Sequence, residues 1–125
     1  MKELEIAKKA CLDAGNLLLN NFGKRIPAEY RSGKGLISEF DIKAENLIVA
    51  LLKKEFPNYG VIGEETGVGK GDSEFTWIID PLDGTTNFVV GVPIFAVSVA
   101  LARENQVLAS AIYIPTTKEL FSAEK

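Results

Sequence analysis

The stretch W-I-I-D-P-L-D-G-T-T-N-F, residues 77–88, determines how the rest of this 125-residue chain is interpreted. Its first three residues are apolar and two of them are β-branched, which predicts a buried strand leading into Asp80. Pro81 has no N–H to donate, so the strand is expected to end there. Asp83 and Gly84 are typical of a turn, and the hydroxyl and amide residues from Thr85 onward predict the start of a helix.

The two carboxylates of this stretch, Asp80 and Asp83, flank a rigid bend and can point into one small space. Because Pro81 leaves the Leu82 carbonyl free of sheet pairing, that carbonyl can supply a third oxygen. Hard divalent cations prefer such an all-oxygen set. Asp-Pro and Asp-Gly are also common in ordinary turns, which is the alternative interpretation. The density of polar side chains directly after an apolar strand favours a metal site.

The amino-acid composition argues against several classes of partner and of catalytic group. The chain is 46% hydrophobic and 25% charged, as expected for a globular domain with a modest core. Its net charge of −3, without a basic block, does not favour a nucleic-acid partner. There is no histidine, which removes the usual general base and zinc ligand, and Cys11 has no second cysteine to pair with and is interpreted as core packing. No signal peptide or membrane span is visible, so no membrane partner is expected and the cytoplasm is the expected compartment.

The hydrophobic pattern predicts an α+β fold in one domain, residues 1–125. An amphipathic helix is expected over residues 2–22, a loop over 24–35, and a second helix from an N-cap at Ser38 to Phe56. Strands are expected at 61–63, 77–79, 94–102 and 107–114 and from residue 119, with a mobile loop at 67–73. The last strands form an antiparallel meander, and the two helices are expected to pack on one face of this mainly antiparallel sheet.

Two further acidic positions are ambiguous from their local pattern. Asp41 lies three residues after Ser38, so it is either a capping-box acid that only satisfies backbone N–H groups or part of a functional site. Glu64 and Glu65 follow a short predicted strand, and neighbouring side chains there point in different directions. Only one of these two glutamates can therefore easily serve a given metal.

Three sequence elements resemble motifs of the inositol monophosphatase family. D-P-L-D-G-T-T-N-F is similar to its D-P-x-D-G-T-x-N-F motif, G-E-E-T at residues 63–66 to its G-E-E-[ST] element, and L-I-S-E-F-D at 36–41 to its L-[VI]-[ST]-x-x-D element. Gly35 departs from the polar residue that often precedes the last element. The resemblance implies the N-terminal half of a layered αβαβα sugar-phosphatase fold. The W-D-x-A element, which comes later in the sequences of this family, is absent from the chain, and the resemblance therefore implies that the chain is a fragment.

The resemblance also implies a role for each site residue. Two or three magnesium ions are expected, the first held by Glu64, Asp80 and the Leu82 carbonyl. Asp80 is expected to bridge to the second ion, which Asp83 also binds. Other groups are expected to handle the water and the phosphate: Thr85, with Asp41 and Glu64, would activate the attacking water, and the N–H groups of Gly84 and Thr85 would hold phosphate oxygens. Lys34 and Glu65 are left outside the site.

By the same resemblance, the expected activity is Mg²⁺-dependent hydrolysis of inositol monophosphate or a related sugar phosphate. The alternatives are a fructose-1,6-bisphosphatase-like enzyme, a nucleotide-bisphosphate phosphatase, or a non-catalytic metal-binding remnant. The second of these often carries D-G-T-[KR]-E-F, which this chain lacks. The expected partners are a small-molecule phosphate monoester and a second copy, since the sheet is expected to be unfinished at Leu120 and Phe121. Little turnover is expected from the 125-residue chain alone.

Overall fold

The structure is a computed structural model that describes residues 1–65 and 67–125. In chain order its elements are α1 (Lys2–Asn21), β1 (Ala28–Arg31), β2 (Gly35–Ser38), α2 (Glu39–Glu55), β3 (Gly60–Gly63), β4 (Gly67–Gly69), β5 (Phe75–Asp83), α3 (Thr85–Val90), β6 (Ala96–Arg103), β7 (Gln106–Ile114) and β8 (Glu119–Glu124).

Most of the strands belong to one six-stranded sheet in the order β4-β3-β5-β6-β7-β8. The pair β3–β5 is parallel, and every other neighbouring pair is antiparallel. The run β6-β7-β8 is the predicted meander, because short turns join strands that are neighbours in sequence. The connection from β5 to β6 is longer and contains α3. The predicted α+β class and mainly antiparallel sheet are therefore confirmed.

Helices α1 and α2 pack against each other and against one face of this sheet. The side chains that form this core are almost fully shielded from solvent: Leu18, Ile48, Leu52, Trp77, Val97, Val99 and Leu101 are representative. Complete burial of one such aliphatic side chain contributes about 1.5–3 kcal/mol. At Gly15 the helix touches the sheet so closely that a Cβ atom would clash with the Tyr113 ring. Among the described residues, no helix has the length and apolarity needed to cross a membrane.

The N-terminus of α2 is fixed by its cap, as the sequence predicts. The Ser38 hydroxyl accepts a hydrogen bond from the Phe40 N–H at 3.2 Å, and the Ser38 N–H donates to Asp41 Oδ2 at 2.9 Å. This reciprocal arrangement is a capping box, which satisfies N–H groups that the helix itself leaves unpaired. The hydrogen bonds of the cap therefore help to fix the position of the Asp41 carboxylate at the start of α2.

The opposite face of the sheet carries apolar side chains that remain in solvent. Ile62, Ile78 and Ile112 are each 41% exposed, and Phe121 is 53% exposed. Strand pairing places Ile62 beside Ile78 and Ile112 beside Phe121, so these side chains share one face. We call this surface, defined by those four residues, the open sheet face.

Three local predictions were wrong. The expected loop at 24–35 contains β1, which pairs with β2 in a hairpin, and every residue of β1 is exposed, so no apolar alternation marks it. The expected mobile loop at 67–73 begins with the short strand β4, whose backbone pairs with β3. Pro81 does not end β5, because pairing resumes at Asp83 after a register shift between Asp80 and Asp83. A residue without an N–H interrupts a ladder locally, and strand pairing on both sides can still hold.

Candidate active site

The site begins where β5 gives way to α3. Pro81 and Leu82 have no partner in the ladder, which leaves an irregular segment between Asp80 and Asp83. Gly84 then turns the chain with φ of 97°, a conformation that favours glycine. A Cβ atom at Gly84 would lie 2.9 Å from the Ile94 carbonyl oxygen, so a larger residue has no room. The predicted bend and the start of the helix at Thr85 are both present.

Thr85 and Asp41, which are 44 positions apart in sequence, meet at this bend. The Thr85 hydroxyl donates to Asp41 Oδ1 at 2.7 Å and lies 3.3 Å from the Leu82 carbonyl oxygen. The other carboxylate oxygen of Asp41 accepts from the Ser38 hydroxyl at 2.7 Å. Both interpretations of Asp41 are therefore compatible, because one oxygen completes the capping box while the other binds a site hydroxyl.

A second contact at the site joins the carboxyl groups of Glu64 and Asp80. Burial raises the pKa of Glu64 to about 7, and the hydrogen bond to Asp80 together with the negative charge of Asp80 adds to the rise. Burial also raises the pKa of Asp80, and the hydrogen bond from Glu64 opposes that rise. Two neighbouring carboxylates in a partly desolvated site repel each other, which favours the protonated form of Glu64. Asp80 Oδ1 is buried without a hydrogen-bond partner.

Glu45 is a site residue that the sequence reasoning missed. Its side chain is fully buried on α2, and its Oε1 accepts a hydrogen bond from the Glu65 N–H at 3.0 Å. It stands one helical turn after Asp41, on the inward face that also carries Ala44 and Ile48. A charged residue within that apolar stripe was the signal that could have identified it.

The structure brings two other residues to the edge of the site. Lys34, which was left outside the predicted site, reaches across from the β1–β2 hairpin with its Nζ 3.5 Å from the Glu64 carbonyl oxygen. Asp83 is exposed and, with Gly84 and Asn87, lines a cavity of about 230 Å³. Thr66, the last residue of the G-E-E-T element, lies outside the described residues.

The donor atoms fit a hard divalent cation. The candidate ligands are carboxylate and carbonyl oxygens, which suit Mg²⁺ or Mn²⁺ rather than zinc. The buried, unpartnered Asp80 Oδ1 lacks a positive group or donor opposite it, which is the position a cation would take. Among the described residues, no three acidic side chains already converge on one point.

Comparison with known proteins agrees with these features. The family model described as "Inositol monophosphatase family" matches residues 2–125. An inositol-1-monophosphatase of Mesorhizobium japonicum is 42% identical over 98% of this chain and 47% of its own length. A fructose-1,6-bisphosphatase/inositol-1-monophosphatase of Aquifex aeolicus is 41% identical over 99% of this chain and 48% of its own length.

A solved structure gives the same result for the fold. The extragenic suppressor protein suhB of Bartonella henselae superposes with a TM-score of 0.95 at 37% identity, over 100% of this chain and 50% of that one. The chain thus spans about half the length of the curated relatives it matches. On the family-model match and this fold, the chain belongs to the inositol monophosphatase family.

Proposed function

We propose that this chain supplies the metal-binding and water-activating part of a phosphate monoester hydrolase. One observation carries the proposal: the Thr85 hydroxyl is hydrogen-bonded to Asp41 at the same bend where Asp80 presents a buried oxygen without a partner. A hydroxyl linked to an acid can orient a water molecule, and an unpartnered carboxylate oxygen can hold a cation. Membership of the inositol monophosphatase family supports the same reaction class.

The divalent cation, proposed to be Mg²⁺, would neutralise phosphate oxygens and make a bound water more acidic. Glu64, Asp80, Asp83 and the Leu82 carbonyl are the residues proposed to hold two or three such ions. Each supplies oxygen atoms, and the three carboxylates offset the charge of the ions.

Thr85 and Asp41 are proposed to act on the attacking water. Thr85 Oγ1 can accept a hydrogen bond from the water while it donates its own proton toward Asp41 Oδ1, 2.7 Å away. The water proton would pass to Thr85 Oγ1 as the Thr85 hydroxyl proton moves to Asp41 Oδ1. The backbone N–H groups of Gly84 and Thr85 stand at the start of α3, where a helix leaves its first N–H groups unpaired, and are proposed to hold phosphate oxygens.

The proposed substrate is inositol monophosphate or a related sugar phosphate. The name of the Mesorhizobium relative supports the first, and the double name of the Aquifex relative supports fructose 1,6-bisphosphate as a second candidate. The test measures phosphate release from both compounds during a Mg²⁺ titration. It uses the 125-residue chain and a version extended to the length of its relatives.

We expect Mg²⁺-dependent hydrolysis by the extended version and little turnover by the 125-residue chain. An extended, folded protein that hydrolyses neither compound would contradict the proposed function. Metal binding without hydrolysis in both versions would favour the non-catalytic alternative. Rapid hydrolysis by the 125-residue chain would show that the described carboxylates suffice.

The proposed partner, a second copy of the chain, rests on the open sheet face. Four large apolar side chains in solvent on one face, next to the unpaired outer edge of β8, favour self-association. Size-exclusion chromatography should show dimers or larger species, and Ile112→Lys should shift them toward monomer. Leu12→Lys, a change at a partly exposed residue of α1 on the helical side, is the matched control and should leave the distribution unchanged. A monodisperse monomer would contradict the proposal.

A further inference from the structure

Glu45 is an unusual residue for the interior of this fold. Its side chain has no exposed surface, although removal of a carboxylate from water is unfavourable unless hydrogen bonds compensate. An apolar residue of similar size would pack between α2 and the sheet without that cost. The position of Glu45 therefore calls for a role that packing does not supply.

The hydrogen bond between Glu45 and the Glu65 backbone provides such a role. Its Oε1 accepts the N–H of Glu65 at 3.0 Å, so α2 holds the backbone of the turn that follows β3. That turn, Glu64 and Glu65, lies between two strands, β3 and β4, that pair with each other. A tether from a rigid helix reduces the freedom of a turn, and thereby of the side chains on it.

We propose that Glu45 is a positioning residue that fixes the Glu64–Glu65 turn so that the Glu64 carboxyl faces Asp80. Asp41 and Glu45 lie one turn apart on α2, so the same helix orders both halves of the site. Asp41 orients Thr85, and Glu45 orients the proposed metal ligand Glu64 through the neighbouring peptide. The catalytic consequence rests on the proposed function, whereas the positioning itself does not.

The hydrogen bond, rather than the charge, is the feature the proposal requires. The Glu65 N–H needs only an acceptor oxygen at position 45, and a neutral amide oxygen can supply it as well as a carboxylate. Glu45→Gln retains an acceptor oxygen at this place, while Glu45→Leu has a similar volume and no acceptor.

The experiment compares three variants of the 125-residue chain: Glu45→Leu, Glu45→Gln and Glu39→Leu. Glu39 is an exposed glutamate on the same helix that pairs with Lys43, which makes it a matched control. Circular dichroism first establishes that each variant is folded. Hydrogen exchange of the Glu65 amide, followed by NMR without metal, then reports the tether directly, and calorimetry with Mn²⁺ reports its effect on metal binding.

Glu45→Leu should lower the protection of the Glu65 amide and weaken Mn²⁺ binding by about 10–100-fold, the usual loss for residues that orient a metal ligand. Glu45→Gln and Glu39→Leu should remain within about threefold of the original chain. Unchanged protection in a folded Glu45→Leu variant would overturn the proposal. So would a loss in Glu45→Gln as large as that in Glu45→Leu, because charge would then be the cause.

The two proposals can fail separately. If the extended protein hydrolyses no phosphate ester, the proposed function fails, and amide exchange still decides the role of Glu45. If it does hydrolyse one, Glu45→Leu should lower kcat with little change in KM. The reason is that Glu45 binds the Glu65 N–H, in the peptide that follows the proposed ligand Glu64, and is not proposed to contact the substrate. A change confined to KM would overturn the positioning role.

Discussion

The carboxylates of this site form two sets, which differ in their hydrogen-bond partners. The helix carboxylates, Asp41 and Glu45 on α2, accept hydrogen bonds of 2.7–3.0 Å from Ser38, Thr85 and the Glu65 backbone. The strand-end carboxylates, Glu64 and Asp80, are bonded to each other, and Asp80 Oδ1 is buried without a partner. The helix set is thus ordered by the protein, and the strand-end set lacks the positive charge that would stabilise it.

This difference distinguishes the carboxylates that the protein itself orders from those whose order would depend on a cation. Hydrogen bonds from the chain fix the helix carboxylates, so their geometry should not require a metal. The strand-end carboxylates repel one another, so their geometry and their protonation should change when a metal binds. Removal of a side chain from either set, or addition of a cation to the strand-end set, therefore tests this difference.

The largest effect is expected from Asp80→Asn. This change removes the negative charge next to the unpartnered oxygen, so Mg²⁺ or Mn²⁺ affinity should fall by more than about 100-fold, beyond the usual loss for residues that only orient a ligand. Isothermal calorimetry on the metal-free chain measures it. Asp72→Asn, at an exposed acid before β5, is the control and should bind normally. Equal affinity in the Asp80→Asn variant would remove Asp80 from the metal site.

Thr85→Ala tests whether the helix set acts on the water. In the version extended to the length of its relatives, kcat should fall on the order of 10²-fold with little change in KM, as for one positioned proton-transfer group. Thr85→Ser keeps the hydroxyl and should recover most of the activity, and Thr86→Ala changes an exposed neighbour and should have no effect. A near-normal kcat would mean that Thr85 only closes the bend at the start of α3.

Ser38→Ala removes one partner of Asp41 and the cap of α2 together. We expect the free energy of unfolding to fall by about 1 kcal/mol, the usual cost of an N-cap hydroxyl. Urea unfolding measures the change, and Ser32→Ala in the β1–β2 turn serves as the control. Since Asp41 keeps its bond from Thr85, a loss several times larger would show that the whole helix set depends on this one hydroxyl.

The smallest effect is expected from pH. The pKa of Glu64 is raised from 4.5 to about 7 in the folded chain, so the folded state holds a proton that the unfolded state has released. The metal-free chain should therefore lose stability as the pH rises from about 4.5 to about 7. The change should be modest because Glu64 is solvent-accessible. Urea unfolding at several pH values measures the slope.

Two additions sharpen the pH experiment. Mg²⁺ should flatten the slope, because the cation replaces the proton bound by Glu64. Glu64→Gln should make the slope shallower without metal, because one titrating group is gone while Asp80 and Glu65 keep raised pKa values. A slope as steep in Glu64→Gln as in the original chain would assign the titration to other groups and contradict the difference between the two sets.

Local sequence predicted the structure correctly where a feature depends only on neighbouring residues. The cap at Ser38, the bend at Gly84 and the start of α3 at Thr85 depend on neighbouring residues, and each was predicted. The hairpin of β1 and β2 was missed because its outer strand is entirely exposed and shows no alternation. Glu45 was not predicted because its partner is 20 positions away, and no local pattern encodes that separation. The same holds for the contact between Lys34 and the Glu64 carbonyl, which are 30 positions apart.

The amino-acid sequence by itself determined the elements and the candidate chemistry of this protein. Apolar periodicity, a capping box and a D-P-L-D-G-T-T-N-F stretch predict two helices, an antiparallel meander and an oxygen-rich bend, since these depend on near neighbours. Only the tertiary structure decided which carboxylates have partners. Packing of α2 against β5 brings Asp41 to Thr85 and Glu45 to Glu65, while it leaves a buried oxygen of Asp80 bare. Hydrogen bonding and burial depend on distances across the fold, and those distances exist only once the helices lie on the sheet.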